Sequence, residues 1–145
     1  MENLFRHYAA NESLYMATVS PVCEKYGLTY MEFTVLMFLA NNPQFDTASD
    51  IVRYRHLTKS HVSMSVRSLQ DKGLLKGEYH KPNRRTIHLT VLEDADPIVT
   101  DGRSAQQNYG SILFSGFDES EYALFVAYMK RIDNNIIERL TATRI

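Results

Sequence analysis

The sequence predicts a mainly helical α+β fold, six helices interrupted once by a two-stranded hairpin. Three observations carry that expectation. Apolar residues recur at threes and fours through most of the chain. One stretch, 86–92, alternates between polar and apolar side chains as far as Val91. Helix-starting threonines and aspartates, and helix-stopping glycines, fall where the period changes.

The first 27 residues read as a helix with a wide apolar face: Phe5, Tyr8, Tyr15, Met16, Val19, Cys23 and Tyr26. Pro21 is expected to bend or interrupt it, and Gly27 to stop it. Thr29 and Glu32 have the form of a capping box. They open a strongly apolar helix through Phe33, Leu36, Met37, Leu39 and Ala40 that ends at Asn41-Asn42-Pro43. Thr47 with Asp50 starts a short helix, 48–55. After the break His56-Leu57-Thr58, Thr58 caps a helix over 59–71 that Lys72-Gly73 terminates. A strand over 74–79 and a polar turn at 80–84 follow. The second strand places Ile87, Leu89 and Val91 inward and Thr86, His88 and Thr90 outward. Asp96-Pro97 reads as an N-cap and first helical residue of a helix reaching about residue 114, weakened by Gly102 and Gly110. Asp118 and Glu121 cap a last helix whose seam is Tyr122, Phe125, Met129, Ile132, Ile136 and Leu140. That near-heptad spacing predicts a helix packed on other helices along its length.

A short helix, a tight turn, a second helix and an immediate hairpin form the order of a winged helix-turn-helix. At 145 residues, with no repeat or linker, the chain reads as one domain, 1–145. Within it, 29–92 is the winged helix-turn-helix lobe, and 1–27 with 93–145 form a helical dimerisation lobe. A wide apolar face on the first helix and a heptad seam on the last would leave much apolar surface on a monomer.

Net charge is −1, which by itself says nothing about nucleic acid. Its distribution says more. Residues 51–90 hold nine basic side chains, Arg53, Arg55, Lys59, Arg67, Lys72, Lys76, Lys81, Arg84 and Arg85, against Asp71 and Glu78. The segment is +7 and the remainder −8. A basic centre between acidic ends offers one surface to a polyanion. On the helix over 59–71, Val62, Val66 and Leu69 point to the core. Ser60, Met64 and Arg67 lie opposite, flanked by Ser63 and Ser68, with Lys59 and His61 in the first turn. Small hydroxyls allow close approach to a major groove, and Arg67 suits guanine O6 and N7. The wing tip contributes Lys81, Arg84 and Arg85 to the backbone or minor groove. The alternative is a solvated helix face and a basic loop. Against it stands the absence of any acid on that helix before Asp71.

At these residues the chain resembles the MarR family of bacterial regulators. Gly27-Leu28-Thr29 resembles that family's Leu-Thr entry into its second helix. Lys72-Gly73-Leu74-Leu75 resembles its step from recognition helix to wing. Asn83-Arg84-Arg85 stands at the place of its Asp-x-Arg wing motif, and 91–95 where it has Leu-Thr-x-x-Gly. Asn83 for aspartate, Leu92 and Ala95 for threonine and glycine, and Glu32 for a frequent glutamine are departures. The resemblance implies a homodimer held by the first, fifth and sixth helices, reading double-stranded DNA at a pseudo-palindromic operator, more often as a repressor. It also implies a small effector, often phenolic or otherwise aromatic, or an oxidant. Tyr15, Tyr30, Phe33, Met37 and Tyr109 are candidates to line an effector pocket, although each taken singly reads more readily as a plain core residue.

No catalytic, metal or cofactor constellation is expected. There is no phosphate loop, nucleophile elbow or paired-carboxylate motif, and the five histidines form no ligand pair. Ser60 and His61 are adjacent on a helix and face different ways. Cys23 reads as a small buried apolar residue. The single cysteine, the absence of a signal-like start and the lack of a roughly 20-residue apolar run point to a cytoplasmic protein. The rival readings are a winged-helix protein–protein module without DNA binding and a small enzyme.

Overall fold

The computed structural model describes residues 2–142, with side chains from Arg6 onward, so the expected Phe5 contact lies outside the described residues. The elements are α1 (Glu2–Tyr26), α2 (Tyr30–Asn41), α3 (Ala48–Arg55), α4 (Lys59–Asp71), β1 (Leu75–Tyr79), β2 (Ile87–Val91), α5 (Asp96–Leu113) and α6 (Glu119–Ala142). One compact unit ends at Tyr109 and a second begins at Gly110.

Local chemistry sets the helix ends. Thr29 and Glu32 form the expected reciprocal capping box at α2, and Thr47 with Asp50 forms another at α3. The Thr58 hydroxyl accepts the His61 amide at 3.2 Å and starts α4. Gly27 (φ 63°) and Gly73 (φ 72°) end α1 and α4 in the left-handed region. Each precedes an amide that reaches back five residues, Leu28 to Cys23 and Leu74 to Leu69, both at 2.9 Å. His56 takes the same left-handed conformation without being glycine, and this turns the chain between α3 and α4.

Helix α2 is the centre of the first unit. It is buried from Glu32 to Leu39, as all-round apolarity requires. Val19 of α1, Ile51 of α3, Val62 and Leu69 of α4, Leu75 and Leu89 of the hairpin, and Ile98 and Val99 of α5 pack in the same core. Burying each such side chain contributes about 1.5–3 kcal/mol.

Several expectations are corrected. Helix α1 runs through Pro21 without interruption. The proline forfeits one backbone bond, while the buried Val19, Val22 and Cys23 around it hold the helix to the core. Tyr8 and Met16 do not join that packing; they are exposed. A 3-10 turn over Glu93–Ala95 precedes α5, so Asp96 is already helical rather than a cap. Gly102 does not mark a weak point in α5. A Cβ there would stand 2.6 Å from Met37 Sδ and 3.1 Å from Phe33 Cε2, so the glycine is what lets α5 approach α2.

The hairpin is antiparallel, pairing Leu75 with Val91 and Tyr79 with Ile87. Leu89 is buried as expected, but Ile87, toward the tip and beyond the core, is exposed. His88, expected to face solvent, is half-buried. The reason is a third short segment that periodicity did not reveal. Thr47 bridges His88, and the Leu89 amide donates to the Asp46 carbonyl at 2.7 Å.

In the second unit, Asp118 and Glu121 cap α6 reciprocally at 2.9 Å in both directions. Phe114 meets Phe117, Tyr122 and Phe125 edge-on at 4.8–5.5 Å between ring centroids. The seam of α6 was expected to pack along its whole length. Within one chain it buries none of its residues.

Candidate nucleic-acid interface

The core side of α4 is Val62, Ser65 and Leu69, with Val66 half-buried. This turns Lys59, Ser60, His61, Ser63, Met64 and Arg67 to solvent, and all six are exposed. Ser68 is placed differently from its expected flank of this face. It is half-buried, and its hydroxyl donates to the Glu32 carboxylate.

Glu32 is the node that orients α4. It is 6% exposed, accepts the Thr29 amide at 2.9 Å and the Ser68 hydroxyl, and pairs with Lys72 Nζ at 2.9 Å. Lys72 also donates to the Gly27 carbonyl at 3.1 Å. Burial pushes the Glu32 carboxyl upward, but donation from Ser68, Lys72 and the Thr29 amide outweighs it and leaves the group below the usual carboxylate range. Helix α4 is thereby tied to α2 at its C-terminal end, while Lys59, Ser60, His61, Ser63 and Met64 of its first turns stay exposed.

The wing is rooted by side-chain contacts of His80 and His88. His88 Nδ1 lies 2.8 Å from Asp46 Oδ1, and the His80 ring stacks on His88 at 4.0 Å with 3° between planes. Lys81, Arg84 and Arg85 at the tip are exposed. Asn83 Oδ1 accepts the Arg85 amide at 2.8 Å, and Asn83 Nδ2 donates to Thr86 Oγ1 at 3.2 Å. The asparagine thus shapes the tip through the backbone of Arg85. Of the nine basic residues in 51–90, Lys72 pairs with Glu32 and Lys76 with Glu78. The other seven form no ion pair among the described residues. Uncompensated cations on a helix face and a loop tip are what a phosphate backbone neutralises.

Sequence reasoning missed the part played by α3. Ser49, Val52 and Arg53 face Lys59, Val62 and Ser63 across a groove of about 430 Å³ between α3 and α4. Ser49 and Arg53 are exposed and border the exposed face of α4. The only signal for them was the basic end of α3, Arg53 and Arg55.

The five candidate effector residues separate into two sets. The Tyr15 ring meets Tyr30 at 6.4 Å and Tyr109 at 5.1 Å, both edge-on. Tyr15 Oη accepts from Gln106 Nε2 at 2.9 Å, and Tyr109 donates to Asn11 Oδ1 at 2.5 Å. Burial, then the neighbouring Tyr15, pushes the Tyr30 hydroxyl up. Phe33 and Met37 are in the core at 0% and 2% exposure. Tyr15 and Met37 border a cavity of about 100 Å³ with Thr34, Asn41, Arg55 and Gln106. The Thr34 hydroxyl is buried there, next to the Tyr30 phenol.

Cys23 is buried, and burial pushes its thiol up, away from the reactive thiolate. Among the described residues no group of three or more His, Cys, Asp or Glu could hold a metal ion. No described helix is long and apolar enough to cross a membrane.

The MarR family model matches residues 26–85, from the end of α1 to the wing tip. No curated protein matches the chain. Among solved structures, a MarR family transcriptional regulator from Listeria monocytogenes, complexed with a 26mer DNA, superposes with a TM-score of 0.79 at 17% identity, over 94% of this chain and 89% of that one. A MarR transcriptional regulator from Methanosarcina mazei Go1 gives 0.78 at 18% identity, over 95% and 92%. Bordetella bronchiseptica BpsR, whose DNA binding is regulated by 6-hydroxynicotinic acid, gives 0.68 at 17%, over 90% and 98%. The segment 26–85 is thus of the MarR family, and the chain around it has the fold of that family's winged helix-turn-helix transcriptional regulators.

Proposed function

We propose that this protein is a homodimeric, sequence-reading regulator of transcription, acting as an effector-responsive repressor at a pseudo-palindromic operator in the cytoplasm. The observation that carries the reading is the exposed, acid-free face of α4 beside a wing tip and an α3 end whose cations lack ion-pair partners. In this reading Lys59, Ser60, His61, Ser63, Met64 and Arg67 enter the major groove. Lys81, Arg84 and Arg85 meet the backbone or the minor groove. The Listeria monocytogenes relative, complexed with a 26mer DNA, supports DNA as the partner. The protein–protein module is disfavoured, because it gives this cationic face no role.

Dimerisation is supported by unsatisfied apolar surface. Twelve of the exposed large apolar side chains lie in the second unit, from Ile112 to Leu140, and they include the entire α6 seam. A second copy of α6 covers them by the same heptad logic that spaces them. Effector control is supported by the Tyr15, Tyr30 and Tyr109 cluster with the adjacent cavity, and by a relative that responds to 6-hydroxynicotinic acid.

The test is binding to the duplex upstream of the protein's own coding region, titrated with salt beside a scrambled duplex. Preference for the upstream duplex with a steep salt slope is the expected result. No binding to either duplex at low salt overturns the DNA reading and returns the protein–protein module.

A further inference from the structure

On the exposed side of α4 one residue is chemically out of place. Met64 is 69% exposed, and apart from it every exposed side chain on the helix is charged, a hydroxyl, an imidazole or an amide. Met64 borders an open groove with Met31, His61 and Ser68. Its neighbours along the helix are Ser60, one turn before, and Arg67, one turn after. At 1.5 Å per residue, Ser60 to Arg67 spans about 10.5 Å, close to the rise of three base pairs. Met64 therefore stands at the middle of a three-step strip.

The strip lacks the side chains that identify adenine. Reading adenine N6 and N7 needs an asparagine or glutamine amide, and the only amide on α4 is Gln70. Gln70 is directed to the wing, where its Nε2 lies 3.0 Å from the position a Cβ would take on Gly77. An A·T pair under the centre of α4 also shows thymine O4, an acceptor that a thioether cannot donate to, and the 5-methyl group of thymine, and an exposed thioether is the partner that methyl group fits.

The geometry points to Met64 as a specificity-determining residue that reads the 5-methyl group of a thymine, within one or two base pairs of the guanine that Arg67 contacts. This rests on the DNA-reading function proposed above. The contact removes apolar surface from water on both partners. Flanking serines keep the backbone close enough for it to form.

The experiment uses the full-length protein and a duplex selected by it from a random library. Each thymine of the selected half-site is replaced singly by deoxyuridine, which deletes only the methyl group. One replacement is expected to weaken binding about fourfold, the transfer value of one methyl-sized group. In Met64→Ala the same replacement changes affinity less than 1.5-fold, and in Met64→Leu the sensitivity returns. Met64 is exposed, so neither substitution disturbs the core. A wild-type protein indifferent to every deoxyuridine overturns the inference, as does a Met64→Ala variant that keeps the full penalty. Either result leaves the regulator reading standing if the selected duplex is still preferred over a scrambled one. A library that yields no preferred duplex refutes both.

Discussion

Removing the Glu32 carboxylate should weaken the tie between α4 and α2, and the structure sets the size of the effect. The carboxylate is 6% exposed and holds the Thr29 amide, the Ser68 hydroxyl and Lys72. Removing one partner of a fully buried pair costs about 3–5 kcal/mol, because the other charge stays buried and unpaired. Here the Lys72 side chain is 37% exposed and can turn to water, so its share is small. What is lost is a capping bond and the Ser68 bond, together with the packing of a buried side chain. For Glu32→Ala we expect about 2–3 kcal/mol. Lys72→Ala should cost under about 1 kcal/mol, and the double variant should be less destabilised than the sum. The assay is urea unfolding by circular dichroism at fixed protomer concentration, since the proposed dimerisation would contribute to the midpoint. The pH dependence adds a second constraint. The folded-state carboxyl titrates below its unfolded value, so its stabilisation is complete above the usual carboxylate range and is lost as pH falls through the lower, folded value. Glu32→Gln should flatten the stability profile in that acidic window alone. A Glu32→Ala penalty below about 0.5 kcal/mol, or strict additivity with Lys72→Ala, would refute the account of Glu32 as the node.

The two helical glycines of α5 should respond oppositely to alanine. Gly102→Ala forces a methyl against Met37 and Phe33 and should cost about 1–3 kcal/mol, whereas at Gly110 nothing lies within 4 Å and alanine should stabilise by about 0.5–1 kcal/mol; thermal unfolding compares them. Arg67→Ala should cost about 1–3 kcal/mol of operator binding and relax sequence preference, while Arg84→Ala should weaken all duplexes alike and reduce the salt slope by about one; equal specific and non-specific losses for Arg67→Ala would make it a phosphate contact. Ile136→Asp places a charge in the exposed α6 seam and should give a folded monomer by light scattering, and an unchanged dimer would remove α6 from the interface.

Features that depend on neighbours in sequence were legible from the sequence by itself. The capping pairs Thr29–Glu32, Thr47–Asp50 and Asp118–Glu121 act across three residues, and Gly27 and Gly73 act on the turn they occupy. The helix-turn-helix, the exposed side of α4 and the basic wing tip followed from such signals and from period. Tertiary packing decided what involves residues far apart. Ser68 turned from the reading face because Glu32, 36 positions away, needed a donor. His88 turned from solvent because Asp46, 42 positions away, holds its ring. Gly102, a weak helix former in isolation, became a packing position because Met37 and Phe33 of α2 occupy the space of its missing side chain. Proximity along the chain is written in the sequence, whereas proximity in space exists only once the helices have packed.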